Sequence, residues 1–504
     1  MAAVARQQRA NAGLRRLRWA AVLLLCLSSG AAADGEADRI AAVVRPTADF
    51  SKAEPYELNP GGAATSFAPL NSSAFSHPSA NMPFDRQLDF KVGDGIFRKL
   101  WVSSPSSTLS SDGLGPLYNA RSCQSCHLKD GRGQPPAAGE PAVSMFLRLS
   151  VPPQSEGDRA ALASHRADSI PEPVYGGQLQ NFAIQGIPAE GRMEIAHEDI
   201  PVTFADGETV TLQRPRYRVV DLGYGPLHPK AMLSPRVAPP MIGMGLLEAV
   251  RDEDILALAD PEDRDGDGIS GRPNYGWSAE KKAVVLARFG WKAGQPSVAQ
   301  QSAYAFAGDM GISSKLAAKG WGDCTAAQKS CRAAPDGSDA AEGVELPGRM
   351  FDLVAFYARN LAVPARRGVD DPAVLAGKRV FYEAGCTGCH RPKFVTRRDS
   401  AEPEQSFQLI WPYTDLLLHD MGEGLADGRP EGEASGAEWR TPPLWGIGLT
   451  ETVSGHSRFL HDGRARSLME AVLWHGGEAE GAKQKILRLS QRERAALIAF
   501  LRSL

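Results

Sequence analysis

The pentapeptide Cys-x-x-Cys-His occurs twice, as Cys123-Gln-Ser-Cys126-His127 and as Cys386-Thr-Gly-Cys389-His390. Two thiols at this spacing, followed at once by an imidazole, form the attachment pattern of c-type haem. The sulfurs become thioethers and the histidine takes the iron from its proximal side. A zinc site would normally need a second ligand pair at zinc spacing, and a redox dithiol has no use for the histidine. Two copies in one chain therefore predict two covalent haem c groups, held by Cys123, Cys126 and His127 and by Cys386, Cys389 and His390.

A third cluster, Asp263-Arg-Asp265-Gly-Asp267-Gly268, has the alternating carboxylates and the turn glycine of the first half of a calcium loop. The glutamate expected at its twelfth position is replaced by Asn274, so a solvated acidic turn is the competing reading. Cys324 and Cys331 are left over from the haem motifs and stand close enough in sequence to close a small disulfide ring.

The chain must carry these groups to an oxidising compartment. Arg15, Arg16 and Arg18 precede an apolar run from Trp19 to Leu27 that ends in Ala31-Ala32-Ala33. A charged start, a short apolar core and an A-x-A site make residues 1–33 a secretory signal rather than a span, and predict a periplasmic protein. Cys26 falls inside that signal. Removing its five arginines takes the formal charge from −3 to −8. A mildly acidic chain gives no sign of nucleic acid and leaves open a basic electron-donor protein.

With 504 residues, more than one domain is expected. Residues 34–83, rich in Ala, Ser, Pro and Gly, read as a loosely ordered, flexible lead-in. An N-terminal cytochrome module is expected over 84–365 and a C-terminal one over 366–504. Between about 142 and 227 the pattern turns to alternation, in Glu208-Thr-Val-Thr-Leu-Gln and Tyr217-Arg-Val-Val after an Asp206-Gly207 turn. This predicts a β-rich insertion in an otherwise mainly α fold. The chain ends in a capping box, Ser490 with Glu493, followed by Leu497, Phe500, Leu501 and Leu504 at helical spacing. An internal repeat joins the halves. Arg236-Val-Ala-Pro-Pro parallels Arg440-Thr-Pro-Pro, and Arg288-Phe-Gly-Trp291 parallels Arg458-Phe-Leu-His461.

These segments, together with Leu417-Leu-His-Asp-Met-Gly-Glu-Gly-Leu-Ala-Asp427 and Phe459-Leu-His-Asp-Gly-Arg-Ala465, resemble the di-haem oxidoreductase family. That family is named for peroxidase and thiol oxidoreductase activities and is related to the bacterial di-haem cytochrome c peroxidases. The resemblance covers nearly all of the chain after the signal and implies an enzyme. In the peroxidases the N-terminal haem meets peroxide, the C-terminal haem is low-spin and passes electrons, a tryptophan lies between them, and an acid stands over the reactive iron. By resemblance Trp291 is the bridge and Asp309 the acid. The sequence departs from the peroxidase pattern in having Lys292-Ala293-Gly294 after the tryptophan and aspartate in place of glutamate.

In the peroxidases a methionine follows Leu-x-x-Ala-Val by a helical turn. Here Leu468-Met-Glu-Ala-Val-Leu-Trp leads to His475, which makes His475 the expected second ligand of the His390 iron. Met421, or His419 beside it, is the alternative. For the first iron, Met310, Met241, Met244, His165, His197 and His228 all stay open. The related peroxidases also hold a calcium between their modules, which favours that ion at Asp263, Asp265 and Asp267. The expected function is a peroxidase-like oxidoreductase that acts on peroxide or another small oxidant and draws electrons from a small periplasmic protein. Alternatives are a non-catalytic electron-transfer cytochrome, an oxidase of a protein or thiol substrate, and a haem-bearing accessory of iron uptake.

Overall fold

The computed structural model describes residues 35–338 and 342–504, so the predicted signal lies outside the described residues. The described residues fall into two units, 35–48 and 49–504. The first contributes one described helix, over 35–44; all that follows concerns the second. No helix among the described residues is long and apolar enough to cross a membrane.

The expectation of a mainly α fold is corrected: helix makes up 30% of the described residues and strand 17%, the latter in small antiparallel sheets. Each sheet is two-stranded, and several strands are only two or three residues long. Ladders that short leave no periodicity for a sequence to display.

Two helix pairs repeat one design. Helix α1 (Gln87–Arg98) packs on α3 (Gly348–Asn360), and α4 (Pro372–Ala384) packs on α6 (Gln491–Ser503). In both pairs a glycine makes the close crossing. A Cβ on Gly93 would meet the Leu353 carbonyl and Tyr357, and one on Gly377 would meet the Ala496 carbonyl and Phe500. One turn beyond each glycine an aromatic ring sits beside the motif histidine, Phe97 at 6.3 Å from His127 and Phe381 at 6.2 Å from His390. The capping box closes α6 as its sequence requires: Ser490 accepts from Glu493 N while Glu493 Oε2 accepts from Ser490 N at 2.8 Å.

The other repeated segments are also paired by structure. Phe289 bridges Gln295 and Phe459 bridges Ala465 in the same antiparallel form. A serine cap then opens a helix in each half, Ser297 for α2 (Val298–Met310) and Ser467 for α5 (Leu468–Leu473). Contacts across the halves are reciprocal. Val237 N donates to His461 O at 2.8 Å, and Arg440 N donates to Trp291 O at 2.9 Å. A Cβ at Gly243 would strike Trp445, and one at Gly446 would strike Ile242.

The predicted β insertion contains β1 (Met145–Ser150), the long hairpin β2 (Arg192–Thr203) and β3 (Thr209–Val220), and leads to β4 (Met232–Val237), which pairs with β1. Residues 49–83, expected to be a loose lead-in, instead pack into the unit. Glu57 is 1% exposed and binds both Arg366 and Lys378, and Glu54 binds Lys378 and Lys393 at 2.8 and 2.5 Å. Lys378 is itself 1% exposed, and an ammonium that deep has to bring its carboxylates with it. The small-residue composition read as slack is what lets Ala64, Ala74 and Phe75 bury against the core.

Candidate functional site

Each Cys-x-x-Cys-His segment follows a first helix and is tied down through its histidine. His127 Nδ1 donates to Pro239 O at 2.8 Å and His390 Nδ1 to Tyr413 O at 2.9 Å. A carbonyl only accepts, so Nδ1 carries the proton and the lone pair stays on Nε2, the tautomer a metal-binding histidine needs. Burial pushes both rings down to about 4, so both are neutral near pH 7. Burial also raises the thiols: Cys123 and Cys386 go up to about 12. A redox dithiol relies on a lowered thiol pKa, and these pairs have the opposite environment.

The second site holds two facing histidines. His475 lies just past α5 and its Nδ1 donates to Ala471 O at 2.8 Å, again leaving the lone pair on Nε2. Its ring centroid is 6.5 Å from that of His390. That gap fits one metal ion bound at about 2 Å by a nitrogen of each ring. The buried Trp474 Nε1 beside it has no protein partner. Met421 is close by, with its carbonyl 3.1 Å from where a Cβ on Gly476 would stand.

His419, the other alternative, is occupied. Its Nε2 meets Asp415 Oδ2 and its Nδ1 meets Glu478 Oε2, both at 2.7 Å. Burial alone would lower this imidazole, but the two carboxylates outweigh it and hold it well above its ordinary value. With both nitrogens carrying protons it has no lone pair for a metal. Glu478 also accepts from Ser270 Oγ at 2.6 Å, and Ser270 closes the acidic loop. Asp263, Asp265 and Asp267 are exposed there, with ligand atoms within 4.8 Å of one another. Ile269 of the same loop packs so tightly on Gly388 that a Cβ there would lie 2.5 Å from it.

At the first site the residue matching His475 is Ala305, counted from the serine caps Ser467 and Ser297. One face of α2 thus carries Ala305, Gly308 and Asp309. The Asp309 carbonyl accepts from Asn119 N and Ala120 N at 2.8 and 3.1 Å, which fixes the end of α2 against the approach to Cys123. After burial, the Asp309 carboxylate is the next influence raising Cys123 and Cys126, so the acid and the thiol pair share one environment. Burial raises the Asp309 carboxyl itself, opposed by the Arg148 charge and by a hydrogen bond from Gln178 Nε2 at 2.8 Å. Of the other first-site candidates, Met310 is sealed in the apolar core and His165 faces Glu433 at 3.4 Å.

Trp291 is 7% exposed and stands where the halves meet. Its Nε1 donates to Val237 O at 2.9 Å, and the Arg132 guanidinium lies 5.3 Å from its ring. Lys292, which stands where the peroxidases have aspartate, is fully buried with three acceptors, Asp427 Oδ1 at 2.9 Å and the carbonyls of Arg429 and Ser435 at 2.8 Å. Its ammonium lies 4.6 Å from the Trp439 ring, on which His461 stacks at 3.7 Å. Trp439 does not stand out in sequence as a site residue, and Lys292 stands out only as a departure from the peroxidase pattern. Cys324 and Cys331 are joined in a disulfide.

Among curated proteins none matches the chain. A solved structure of hydrazine synthase from Kuenenia stuttgartiensis, pressurised with 20 bar xenon, is similar over 74% of this chain and 95% of that chain. At 14% identity and a TM-score of 0.25, the likeness carries no argument here. The family described as "Di-haem oxidoreductase, putative peroxidase" matches residues 57–504. That span takes in both Cys-x-x-Cys-His sites, the facing histidines and the Asp309 face, and the chain belongs to the di-haem oxidoreductase family.

Proposed function

We propose that the protein is a periplasmic c-type di-haem oxidoreductase of peroxidase type. In this reading a small redox protein delivers electrons at the C-terminal half, and they are used at the N-terminal half. When bound, haem supplies redox-active iron at both sites, one to take up electrons and one to reduce a small oxidant such as hydrogen peroxide. The observation that carries the reading is the asymmetry between two copies of one design: the His475 ring lies 6.5 Å from His390, whereas Ala305 holds the matching place after the serine cap in the first half.

The residues divide the work accordingly. Cys123 and Cys126, and Cys386 and Cys389, would hold the haem groups through thioethers, with His127 and His390 as the histidines that would bind iron. His475 would join His390 in holding the C-terminal iron, and two imidazoles would favour a lower potential than imidazole with thioether. Small side chains on α2 leave room for a reactant beside Asp309. Buried and near a guanidinium, Asp309 can pass a proton from one peroxide oxygen to the other. Trp291, hydrogen-bonded across the boundary of the halves, is the aromatic stepping stone between them. A calcium ion at Asp263, Asp265 and Asp267 would brace the loop that reaches the second motif through Ile269 and Ser270.

The test is optical and EPR spectroscopy of the purified protein, before and after partial reduction and peroxide addition. The expected result is two covalent haems, one low-spin with two nitrogen axial ligands and one able to bind small molecules, with peroxide consumed. Asp309→Asn should lower kcat/KM for peroxide about 100-fold with haem content unchanged. Two six-coordinate irons inert to peroxide would instead mark an electron-transfer cytochrome.

A further inference from the structure

The β insertion reaches the Asp309 side of the first site. Gln178 and Gln180 alternate along one extended segment and so point the same way. Both are buried, at 0% and 2% exposed. Gln178 Nε2 donates to Asn119 Oδ1 at 2.6 Å and to Asp309 Oδ1 at 2.8 Å; Gln180 Nε2 donates to Gly308 O at 2.6 Å. Because these partners are carboxylate, amide or peptide oxygens that only accept, the orientation of both amides is fixed. Their carbonyl oxygens, Gln178 Oε1 and Gln180 Oε1, are then left buried with no partner. A buried acceptor left unmet is costly, and here two belong to residues that grip Gly308 and Asp309.

Their placement beside the haem motif is given by neighbours. Asn181 Nδ2 donates to Ala142 O at 2.6 Å, and Cys126 Sγ lies 3.0 Å from Val143 O. Arg148, the bridge partner of Gln178, reaches the same spot: a Cβ on Gly308 would lie 4.0 Å from its Nη1. It pairs with no carboxylate in a salt bridge among the described residues. The segment is braced from behind by the disulfide loop. Asp323 Oδ2 accepts from Gly177 N at 2.7 Å and Gln178 N at 3.1 Å, and Glu190 accepts from both Gln180 N and Gln328.

We propose that Gln178 and Gln180 form an acceptor wall that binds a small, uncharged O–H or N–H donor beside Asp309, with Arg148 as the facing hydrogen-bond donor. The inference rests on the peroxidase reading for the position of the reactant, and it gives the β insertion a role: it carries the reactant-binding side of the N-terminal site. Hydrogen peroxide, which both donates and accepts, belongs to this class of ligand.

The test uses the haem-loaded protein and two probes followed optically at the N-terminal iron. Hydroxylamine on the oxidised protein donates hydrogen bonds; carbon monoxide on the reduced protein does not. In Gln178→Leu/Gln180→Leu the hydroxylamine Kd should rise about tenfold or more, with carbon monoxide within about twofold of the parent. Gln180→Leu alone, which leaves the bonds to Asn119 and Asp309 intact, should raise it about threefold or more. Hydroxylamine affinity unchanged in both variants overturns the proposal. So does an equal loss of both probes in Gln180→Leu, which would mean the glutamines only hold the site together. Peroxide turnover separates the two claims. A parent that discriminates the probes but leaves peroxide untouched keeps the wall and removes the peroxidase reading. A double variant that consumes peroxide as well as the parent and binds hydroxylamine as tightly keeps the reading and removes the wall.

Discussion

His127, His390 and His475 all spend Nδ1 on a carbonyl, and a ring so tethered offers Nε2 at a fixed angle. Replacing His475 with Ala should therefore convert the C-terminal haem from low-spin to high-spin or water-bound, raise its potential, and add a second site for small ligands. EPR spin counting and a redox titration would check this; a spectrum that stays low-spin with the charge-transfer band of methionine ligation would transfer the role to Met421. A different residue sets a pH response away from the haems. Glu345 accepts from Ser313 N at 2.7 Å and Gly337 N at 3.1 Å, yet burial pushes its carboxyl from 4.5 up to about 7. Between those values the folded chain holds a proton that the unfolded chain has released. Its contribution to stability is thus complete below pH 4.5 and is lost as pH rises through 7. Glu345→Gln keeps the neutral form at every pH. The stability of the parent relative to this variant should fall by up to about 3 kcal/mol from acid to neutral pH, and denaturant titrations showing a constant difference would refute it.

At the level of elements, the same crossing is built twice, and Gly93 and Gly377 allow it. Gly377→Ala forces α4 away from the Ala496 carbonyl on α6 and should cost about 1–3 kcal/mol. A lower melting temperature with the haem spectrum preserved is the expected outcome; an unchanged melt would mean the helices separate freely. How far such elements could be read depended on how much regular pattern they carry. The α6 stripe and its capping box were legible because period, cap and chain end agree, and the Glu208-Thr-Val-Thr-Leu-Gln alternation announced the hairpin. The two- and three-residue ladders were not legible, and a mainly α expectation followed from their silence. Gln178 and Gln180 escaped notice because they sit in an irregular stretch, where an isolated glutamine looks like any solvated polar residue. His419 stays open as a ligand in sequence because Glu478, which together with Asp415 occupies both its nitrogens, is brought to it only by the fold.

Across the whole molecule, duplication explains both the symmetry and its breaking. The repeated Arg–Pro–Pro and Phe-x-Trp/His segments predicted related halves, and the reciprocal bonds of Val237 with His461 and Arg440 with Trp291 show how they interlock. What no repeat could announce is that the insertion in the first half would be clasped by the second. The tip of the β2–β3 hairpin docks there: Ala205 N donates to Leu487 O at 2.9 Å, Arg494 Nη2 donates to Asp206 Oδ2 at 2.7 Å, and the Arg494 guanidinium covers the Phe204 ring at 4.2 Å. Further along, Tyr217 OH donates to Asp462 Oδ2 at 2.8 Å, in the segment that carries His461. Arg494 is 5% exposed, so its removal takes away packing as well as charge. Arg494→Ala should destabilise the protein by about 1–2 kcal/mol and expose the hairpin tip to proteases before the rest unfolds. Limited proteolysis with mass mapping, beside a thermal melt, would read this. Cleavage starting elsewhere, or a tip as resistant as in the parent, would mean that the ladder alone holds the hairpin in place and that the second half does not clasp it.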